Sequence, residues 1–255
     1  MKQEKFTISS NIPLTTDVFE MQLKRRSSTT DADIRCGQFV NVLVDGLFLR
    51  RPISVCNYCN GQLTLLYKVV GRGTEAMSKM TVGNELDMLI DLGNGYDLSR
   101  SGETPLLIGG GVGIPPLYMA CKKLVEQGKK PTVILGFNKS EEIFYKKEFE
   151  ALTSNVILTT VDGSCGTKGF VTDAINELTK KGTVFSYFYT CGPEPMLNAI
   201  YNSPSLQKVE GEFSFEERMG CGFGACMGCS CKTITGNKRI CKEGPVLQKN
   251  EILWR

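Results

Sequence analysis

Four cysteines near the end of the chain have a spacing that could hold a metal cluster. Cys221, Cys226 and Cys229 form a C-x4-C-x2-C run, and Cys241 follows after eleven further residues. This is the plant-type pattern in which four thiolates hold a 2Fe-2S cluster. Glycines lie between the first two cysteines, where a tight loop must turn and direct backbone N–H groups towards sulfur. The pattern predicts a 2Fe-2S site with these four ligands and an electron-carrying function.

A zinc site and a disulfide knot are the other interpretations of these cysteines. A zinc knuckle usually has two C-x2-C pairs or histidines, whereas this stretch has one pair and the chain has no histidine. Cys231 forms a C-x-C with Cys229, but only Cys229 completes the two-residue step, so we expect Cys231 not to be a ligand. Without histidine, imidazole acid-base catalysis is excluded, and the chemistry must come from cofactors.

The remaining cysteines have plainer interpretations. Cys36, Cys121 and Cys165 have no partner at metal spacing, and free cysteine is commonly a small buried hydrophobic residue. Cys56 and Cys59 form a C-x2-C, but no second pair lies nearby in the sequence. We therefore expect no metal or redox function for these five residues.

The length and composition are those of a globular protein with more than one domain. The chain has 255 residues, of which 41% are hydrophobic and 22% are charged. A formal net charge of +3, with basic and acidic residues interspersed, gives no reason to expect nucleic acid as a partner. The first residues lack the apolar run of a signal peptide, and no segment approaches the roughly 18 apolar residues of a membrane span. We therefore expect a cytoplasmic protein with reduced cysteines and no membrane partner.

The first hundred residues have the pattern of antiparallel β structure. Segments rich in β-branched and aromatic residues are separated by turn-forming pairs such as Asn60-Gly61. The predicted strands are residues 6–8, 18–23, 38–44 and 62–70. This pattern favours a small antiparallel β-barrel, to which we assign residues 1–100.

Two stretches in the predicted barrel contain residue types that bind phosphate. Arg51-Pro52-Ile53-Ser54 follows one strand, and Lys68-Val69-Val70 leads into Gly73-Thr74 after the next. A guanidinium can pair bidentately with a phosphate, and a Gly-Thr turn that opens a helix offers N–H groups and a hydroxyl to a pyrophosphate. Together they predict a dinucleotide site. Taken alone, Arg-Pro-Ile-Ser fits an edge strand blunted by proline equally well.

After residue 103 strands alternate with helices, which predicts a doubly wound parallel α/β sheet in residues 101–208. The predicted strands are 105–108, 132–137, 156–161 and 184–190, and the predicted helices are one that stops at residue 128, then 141–152, 172–181 and 194–201. A glycine turn containing Gly111, Gly113 and Pro116 follows the first of these strands, and Cys191-Gly192-Pro193 follows the last. Ligands bind at the carboxyl ends of such strands. A glycine turn also serves close strand–helix packing, but the second motif makes nucleotide binding the better interpretation.

These motifs resemble the ferredoxin-NADP reductase superfamily from end to end. The similarity lies in the barrel, Arg-x-x-Ser, Gly-Thr, the G-x-G-x-x-P turn and Cys-Gly-Pro-x-Pro-Met. The iron-sulfur stretch, in residues 209–255, narrows the resemblance to the electron transfer subunits of type 1B, NAD-dependent dihydroorotate dehydrogenase. Supporting motifs are Leu92-Gly93-Asn94-Gly95, Asp162-Gly163-Ser164 and Cys241-Lys242-Glu243-Gly244-Pro245-Val246.

The resemblance implies a role for each matching residue. FAD would be held by residues 51–54, by residues 68–70 and by Gly73 and Thr74, with Arg51 near the phosphates. Two residues would lie at the reacting centre, Ser54 near the flavin ring and Cys191 near the nicotinamide of NAD. The cluster ligands would be the four cysteines already named. Many members of the superfamily end in an aromatic residue that covers the flavin, but here the iron-sulfur stretch occupies that end, so we expect Trp254 to have a packing role.

The resemblance also implies a partner and a reaction. In that family, electrons pass from dihydroorotate to FMN in a separate catalytic subunit, then through the 2Fe-2S cluster and FAD to NAD⁺, in pyrimidine biosynthesis. A heterotetramer with two copies of each subunit is the expected assembly. Asp162, near a strand end, would favour NADH over NADPH by repelling a 2′-phosphate, although nearby Lys168 weakens that argument.

Two alternatives stay open on the sequence alone. The first is the FAD and 2Fe-2S small subunit of an NADH-dependent ferredoxin-NADP oxidoreductase or a sulfide dehydrogenase, which shares this architecture. The second is a non-catalytic ferredoxin-like or zinc-binding interaction module on a vestigial reductase scaffold. The colour of the purified protein would separate this second class from the others.

Overall fold

The N-terminal part of the chain is a closed antiparallel barrel of six strands, as the sequence predicts. The computed structural model describes residues 1–26 and 34–254. Residues 27–33 of the predicted barrel and residue 255 of the predicted iron-sulfur stretch lie outside the described residues. The barrel strands are β1 Lys2–Pro13, β2 Val18–Arg25, β3 Phe39–Val42, β4 Arg51–Cys59, β5 Gln62–Lys68 and β6 Glu85–Leu92. They are ordered β1-β2-β5-β4-β3-β6, and helix α1 (Arg72–Ser78) lies between β5 and β6 in the chain.

A seven-stranded sheet with helices packed on it follows the barrel. Its parallel strands are β7 Leu106–Gly110, β8 Thr132–Phe137, β9 Val156–Thr160, β10 Thr167–Lys168, β11 Phe188–Cys191 and β12 Gly211–Ser214. The helices are α2 Pro115–Glu126, α3 Lys146–Glu150, α4 Val171–Lys180 and α5 Glu194–Tyr201. The C-terminal segment, residues 215–254, contains β13 Ser230–Thr233, β14 Gly236–Arg239 and β15 Val246–Gln248. The strand order of the sheet is β10-β9-β8-β7-β11-β12-β15, in which β15 is antiparallel to its neighbour.

Alternating side chains of the sheet enter two different hydrophobic cores. Leu107 of β7 packs in the core that also contains the barrel interior and α2. Its neighbour Ile108 packs on the opposite face, with residues of α4, α5 and the C-terminal segment. Both side chains are fully buried, as expected for a parallel strand that is covered on both faces. The C-terminal segment therefore shares a hydrophobic core with one face of the seven-stranded sheet.

Two sequence predictions about elements in the sheet were wrong. The predicted helix at 141–152 is a 3-10 turn, Ser140–Glu142, followed by the short α3. Between them Tyr145 adopts a left-handed φ of 62°, and its hydroxyl donates to Glu20 Oε2 of the barrel at 2.7 Å. The helix predicted over this stretch is therefore broken at Tyr145, the residue that contacts the barrel. The predicted strand at 184–190 is also shorter and later, at Phe188–Cys191.

The C-terminal segment is attached to both larger parts of the chain. Strand β15 pairs with β12, so that Gln248 lies opposite Glu212. Asn94, just after β6 of the barrel, donates through Nδ2 to the carbonyls of Glu243 at 3.2 Å and Val246 at 2.7 Å, and its Oδ1 accepts from Val246 N. These contacts join two of the motifs that supported the family resemblance. Trp254 packs against the rings of Tyr201, Phe213 and Phe215, in a packing role.

Glu212 is a buried carboxyl at the junction of the sheet and the C-terminal segment. Its side chain is 3% exposed, and Oε2 accepts a hydrogen bond from the backbone N–H of Asp97 at 3.0 Å. Burial raises the pKa of Glu212 to about 7, because desolvation of the charged form outweighs that single donor. We therefore expect the stability of this junction to depend on pH.

Candidate functional site

The four predicted ligand cysteines lie in two close pairs. Cys221 N donates to Cys226 Sγ at 3.4 Å, and Cys226 N donates back to Cys221 Sγ at 3.4 Å. Cys229 and Cys241 place their Sγ atoms 3.2 Å apart in a buried position. The first pair comes from one glycine-rich loop, whereas the second joins that loop to the residue that follows β14 by two positions. The four sulfur ligands are therefore arranged as two pairs.

Two pairs of thiolates fit a 2Fe-2S cluster better than they fit a single ion. In such a cluster four thiolates are shared between two irons. Within residues 1–26 and 34–254, no three His, Cys, Asp or Glu side chains converge to hold one metal ion. Burial acts to raise the pKa of Cys221, but N–H donors of the loop outweigh burial and lower the pKa to about 6, which favours the thiolate. The arrangement of the four cysteines in two pairs therefore fits the predicted cluster.

The glycine-rich loop between Cys221 and Cys229 is held in a specific conformation. Gly222 and Gly224 have φ of 78° and 91°, which are left-handed values that glycine adopts without strain. Arg239 of β14 donates to the Gly224 carbonyl at 2.7 Å and also forms an ion pair with Glu243. Asn41 of β3 donates through Nδ2 to the Cys221 carbonyl at 3.2 Å. One anchor therefore comes from the C-terminal segment and the other from the barrel.

Cys231 and the Cys56/Cys59 pair are not members of the two sulfur pairs described above. Cys231 lies in the β13–β14 hairpin opposite Lys238, and the described hydrogen bonds include none between it and the four ligand cysteines. Cys56 is fully buried, whereas Cys59 is exposed at the end of β4. The two thiols of this C-x2-C therefore lie in different environments.

Arg51, the predicted phosphate ligand, lies directly against Gly73. A Cβ added at Gly73 would overlap the Arg51 guanidinium, so any side chain there would displace the guanidinium from this position. Arg51 donates to the carbonyls of Leu49 and Arg50, and in the described part of the chain it has no ion pair. Arg50 is instead committed to Asp87, with Arg50 Nη2 and Asp87 Oδ1 2.6 Å apart. Of the two arginines, Arg51 is the one whose charge is available to an anion.

The other predicted FAD residues surround this arginine. Pro52, Ile53 and Ser54 are half-buried on β4, where Ser54 pairs with Phe39 of β3. Thr74 Oγ1 accepts from Val70 N at 3.0 Å and donates to the Gly71 carbonyl, so this hydroxyl caps its own helix.

Lys68 and the residues after it lead from β5 towards that helix. Lys68 forms an ion pair with Asp17 at 3.0 Å, and Val69 N donates to the carbonyl of the same aspartate. Val70 is exposed. Because Gly73 lies against Arg51, the stretches 51–54 and 68–74 are neighbours in space.

The predicted nucleotide motifs meet at the carboxyl ends of the central strands. A Cβ at Gly113 would lie 2.5 Å from the carbonyl carbon of Cys191, and one at Gly110 would lie 2.5 Å from Met196 Sδ. Gly111 has a φ of 51°, and Pro116 is buried in the first turn of α2. Both glycine contacts require the absence of a side chain. The glycine turn and the Cys-Gly-Pro motif therefore form one continuous floor.

A cavity of about 670 Å³ opens above this floor. Its lining includes Lys68 of the barrel, Gly111 and Gly113 of the glycine turn, and Glu216 of the C-terminal segment. Thr159 of β9 also lines the cavity; its Oγ1 is buried and has no hydrogen-bond partner among the described residues. A buried hydroxyl without a partner is costly in an empty site and is satisfied when a polar ligand binds. The cavity is therefore a suitable site for a ligand with hydroxyl groups.

Cys191 is a free and buried cysteine. It is 2% exposed, and burial raises its pKa to about 12. Such a thiol does not act as a thiolate nucleophile near neutral pH. Neither Cys191 nor Ser54 is among the residues that line the described cavity.

Two acidic residues of the cavity were not singled out from the sequence. Glu142 lines the cavity, and its Oε2 accepts from Asn138 Nδ2 at 2.9 Å. Asp162, which the sequence suggested for ribose selection, is not among the lining residues, and its Oδ1 accepts from Ser164 N and Oγ. Glu216 is exposed, yet protein atoms around its carboxyl raise its pKa. Glu216 comes two residues after the buried strand β12. A position at the end of a strand is also what marked Cys191 in the sequence.

Comparison with protein families identifies two parts of the chain. Residues 216–253 match the iron-sulfur cluster binding domain of dihydroorotate dehydrogenase B. Residues 107–202 match the oxidoreductase NAD-binding domain. The first match covers the four cysteines, and the second covers the glycine turn and Cys191. No helix in the described ranges is long and apolar enough to cross a membrane.

Curated relatives cover nearly the whole chain. An electron transfer subunit of dihydroorotate dehydrogenase B (NAD(+)) from Fusobacterium nucleatum subsp. nucleatum is 41% identical over 262 residues, with 99% of each chain covered. The corresponding subunit from a Geobacillus species is 40% identical over 263 residues, again with 99% of each chain covered.

Solved structures show the same fold. A chain from the structure of an NADH-dependent reduced ferredoxin-NADP oxidoreductase has a TM-score of 0.87 and 29% identity, covering 98% of this chain and 90% of that one. The ferredoxin reductase of carbazole 1,9a-dioxygenase has a TM-score of 0.68 at 20% identity, covering 81% of this chain and 64% of that one. The second likeness concerns the fold alone.

Proposed function

This chain belongs to the family of electron transfer subunits of dihydroorotate dehydrogenase B, and from that premise we propose the path that its electrons follow. It passes electrons from the FMN of a dihydroorotate-oxidising catalytic subunit through a 2Fe-2S cluster and FAD to NAD⁺, in pyrimidine biosynthesis. When bound, FAD exchanges a hydride with nicotinamide and single electrons with the cluster. The chain itself supplies binding, orientation and exclusion of water.

The observation that carries this proposal is the arrangement of the four cysteines in two pairs. Cys221 and Cys226 would hold one iron, and Cys229 and Cys241 would hold the other. Thiol protons must leave when iron binds, and N–H groups directed at Cys221 favour its thiolate form. Arg239 and Asn41 fix the loop so that little ordering is needed on binding.

FAD binding is assigned to the surface formed by β4, β5 and the start of α1. Arg51 would pair with a phosphate, because its guanidinium has no carboxylate partner in the described residues. Gly73 allows the guanidinium to lie flat against the chain. Pro52, Ile53 and Ser54, together with residues 68–70 and Thr74, would form the surrounding contacts, with Ser54 at the flavin ring.

The nucleotide is assigned to the cavity above the glycine turn. Gly111, Gly113 and Pro116 would allow a pyrophosphate to approach the backbone, and Cys191 would contact the nicotinamide as a neutral thiol. Glu142 lies in the same cavity, where a carboxylate accepts a ribose hydroxyl and repels a 2′-phosphate. This geometry supports NAD rather than NADP as the nucleotide.

We assign the chain to a heterotetramer with two copies of each subunit, on the basis of the family resemblance. The family name implies a catalytic partner subunit for the relatives. A cytoplasmic location fits four cysteines that must stay reduced to bind iron. We assign the FAD, NAD and cluster functions to residues 1–100, 101–208 and 209–255, respectively. Strands β12 and β15 of the third part complete the sheet of the second.

The test is reconstitution with the catalytic subunit. The chain alone should pass electrons from NADH to an artificial acceptor but should not oxidise dihydroorotate. Mixing the two purified subunits should create dihydroorotate-to-NAD⁺ activity that neither shows alone, and the complex should have the mass of a heterotetramer. Reduction of NAD⁺ by dihydroorotate with the isolated chain would contradict the two-subunit relay.

The NADH-dependent ferredoxin-NADP oxidoreductase alternative is not favoured. Its solved structure shares the fold at 29% identity, whereas the dihydroorotate dehydrogenase relatives reach about 40% over the same length. Failure of every dihydroorotate-oxidising subunit to bind the chain would restore that alternative.

A further inference from the structure

The C-terminal segment is held to the barrel at two points that differ in kind. Asn94 binds backbone groups of residues 243–246, which lie beyond the last ligand cysteine. Asn41 instead donates to the carbonyl of Cys221, which is itself a predicted ligand. A carbonyl oxygen only accepts hydrogen bonds, so the amide NH₂ of Asn41 must be the group that faces it. Asn41 therefore contacts the cluster site directly from another part of the fold.

The environment of Asn41 connects the cluster site to the flavin site. Asn41 is 1% exposed on β3, and its register partner on β4 is Pro52. Ser54 pairs with Phe39 two positions along the same strands. Residues 51–54 are the stretch assigned to FAD. A single buried side chain thus joins the strand beside the flavin stretch to the first ligand of the cluster.

The glycine-rich loop approaches β3 so closely that position 222 has no room for a side chain. A Cβ at Gly222 would overlap the Asn41 side-chain amide, and Gly222 has a φ of 78°. The position beside Cys221 therefore requires glycine for both its conformation and its space. The close approach restricts the loop to one placement against the barrel.

We propose that Asn41 is a positioning residue that fixes the Cys221 side of the 2Fe-2S cluster against the flavin-carrying strand. This proposal rests on the proposed function, because it requires both a cluster and a flavin. Asn41 contacts neither group itself and acts through the Cys221 backbone. Its role is to set the separation over which one electron moves between the two cofactors.

The test compares Asn41→Ala and Asn41→Asp with Asn237→Asp in the purified chain carrying flavin and iron. Asn237 is exposed on β14, so its variant adds the same charge to the protein without touching the loop. Loss of the hydrogen bond should make amide hydrogen exchange at residues 221–226 about tenfold faster in both Asn41 variants. After rapid mixing with NADH, flavin reduction should keep its rate, whereas cluster reduction should slow about tenfold. The Asn237 variant should match the wild type in both measurements.

Each other outcome overturns a stated part of the scheme. Wild-type exchange and wild-type cluster reduction in both Asn41 variants would show that the hydrogen bond does not position the cluster. Loss of flavin from these variants would assign Asn41 to the barrel core and would also overturn the proposal. A wild-type chain without iron or flavin would instead refute the proposed function. Gly222→Ala provides the same test from the loop side and should give the same slow cluster reduction with normal flavin reduction.

Discussion

The barrel and sheet differ from the C-terminal segment in how they position functional residues. In the barrel and sheet, strand ends and a helix start bring together Arg51 with Gly73 and Gly113 with Cys191. In the C-terminal segment, the glycine-rich loop has little regular structure, and its ligands are placed by hydrogen bonds from Asn41 and Arg239. A noncovalent cofactor needs a broad preformed surface, whereas a metal cluster needs a few thiols that are held in place on a short loop.

The largest expected effect lies in the C-terminal segment. Serine at Cys221, Cys226, Cys229 or Cys241 should remove or severely damage the 2Fe-2S signal, because one iron loses one of its two thiolates. Electron paramagnetic resonance of the dithionite-reduced protein measures this. Cys231→Ser is the matched control and should keep the signal. A signal that survives in Cys241→Ala and disappears in Cys231→Ala would identify a different fourth ligand.

The next effect lies in the barrel and should be graded. Arg51→Ala should weaken FAD binding by about 2–3 kcal/mol, or roughly 30- to 150-fold in Kd, the scale of a charge-assisted hydrogen bond. Flavin retained after extensive dialysis measures this loss. Arg26→Ala, which removes an exposed arginine paired with Glu85, is the control and should keep its flavin. Full retention in the Arg51 variant would remove Arg51 from the phosphate site.

A third prediction concerns the junction between the two regions. The pKa of Glu212 rises from an ordinary 4.5 to about 7, so the native state binds this proton more tightly than the unfolded state. The stability that results is fully present below about pH 4.5 and is lost as pH rises through about 7. The wild type should lose about 2 kcal/mol of its free energy of unfolding between pH 5 and pH 8, and Glu212→Gln should not show this loss.

Melting temperatures at the two pH values measure this difference. Glu210→Gln, at an exposed neighbouring position, should keep the wild-type dependence on pH. An unchanged pH dependence in Glu212→Gln would mean that the junction carboxyl is already ionised at pH 5.

The smallest expected effect concerns nucleotide choice in the sheet. The wild type should prefer NADH over NADPH, and Glu142→Gln should reduce the ratio of their kcat/KM values about tenfold, because the repulsion of a 2′-phosphate is removed. Diaphorase rates with both nucleotides measure the ratio. Asp162→Asn should leave it unchanged, since Asp162 does not line the cavity. Comparable specificity constants in the wild type would contradict the assignment of NAD.

The parts of the fold that depend on local pattern could be predicted from the sequence. The barrel, the parallel sheet and the cysteine pattern follow from alternation and spacing over a few residues. The helix expected at 141–152 is broken at Tyr145, which has a left-handed φ and binds Glu20, 125 residues away in the chain. Asn41 and Cys221 are 180 residues apart, and no local pattern marks a contact of that kind. No local pattern marks Glu142 as a residue of the cavity either, so the sequence predicts ribose selection by Asp162. Only the folded structure shows that Glu142 lines the cavity.

The hydrogen bonds of Asn94 have a consequence for the order in which the protein is made. Asn94, whose side chain binds residues 243–246, is translated about 150 residues before them. At roughly 5–20 residues per second, the ribosome needs about 8 to 30 s to add that length, and N-terminal domains fold first. The barrel can therefore fold and take up flavin before the last ligand cysteine leaves the ribosome. The C-terminal segment would then meet a docking surface that already exists.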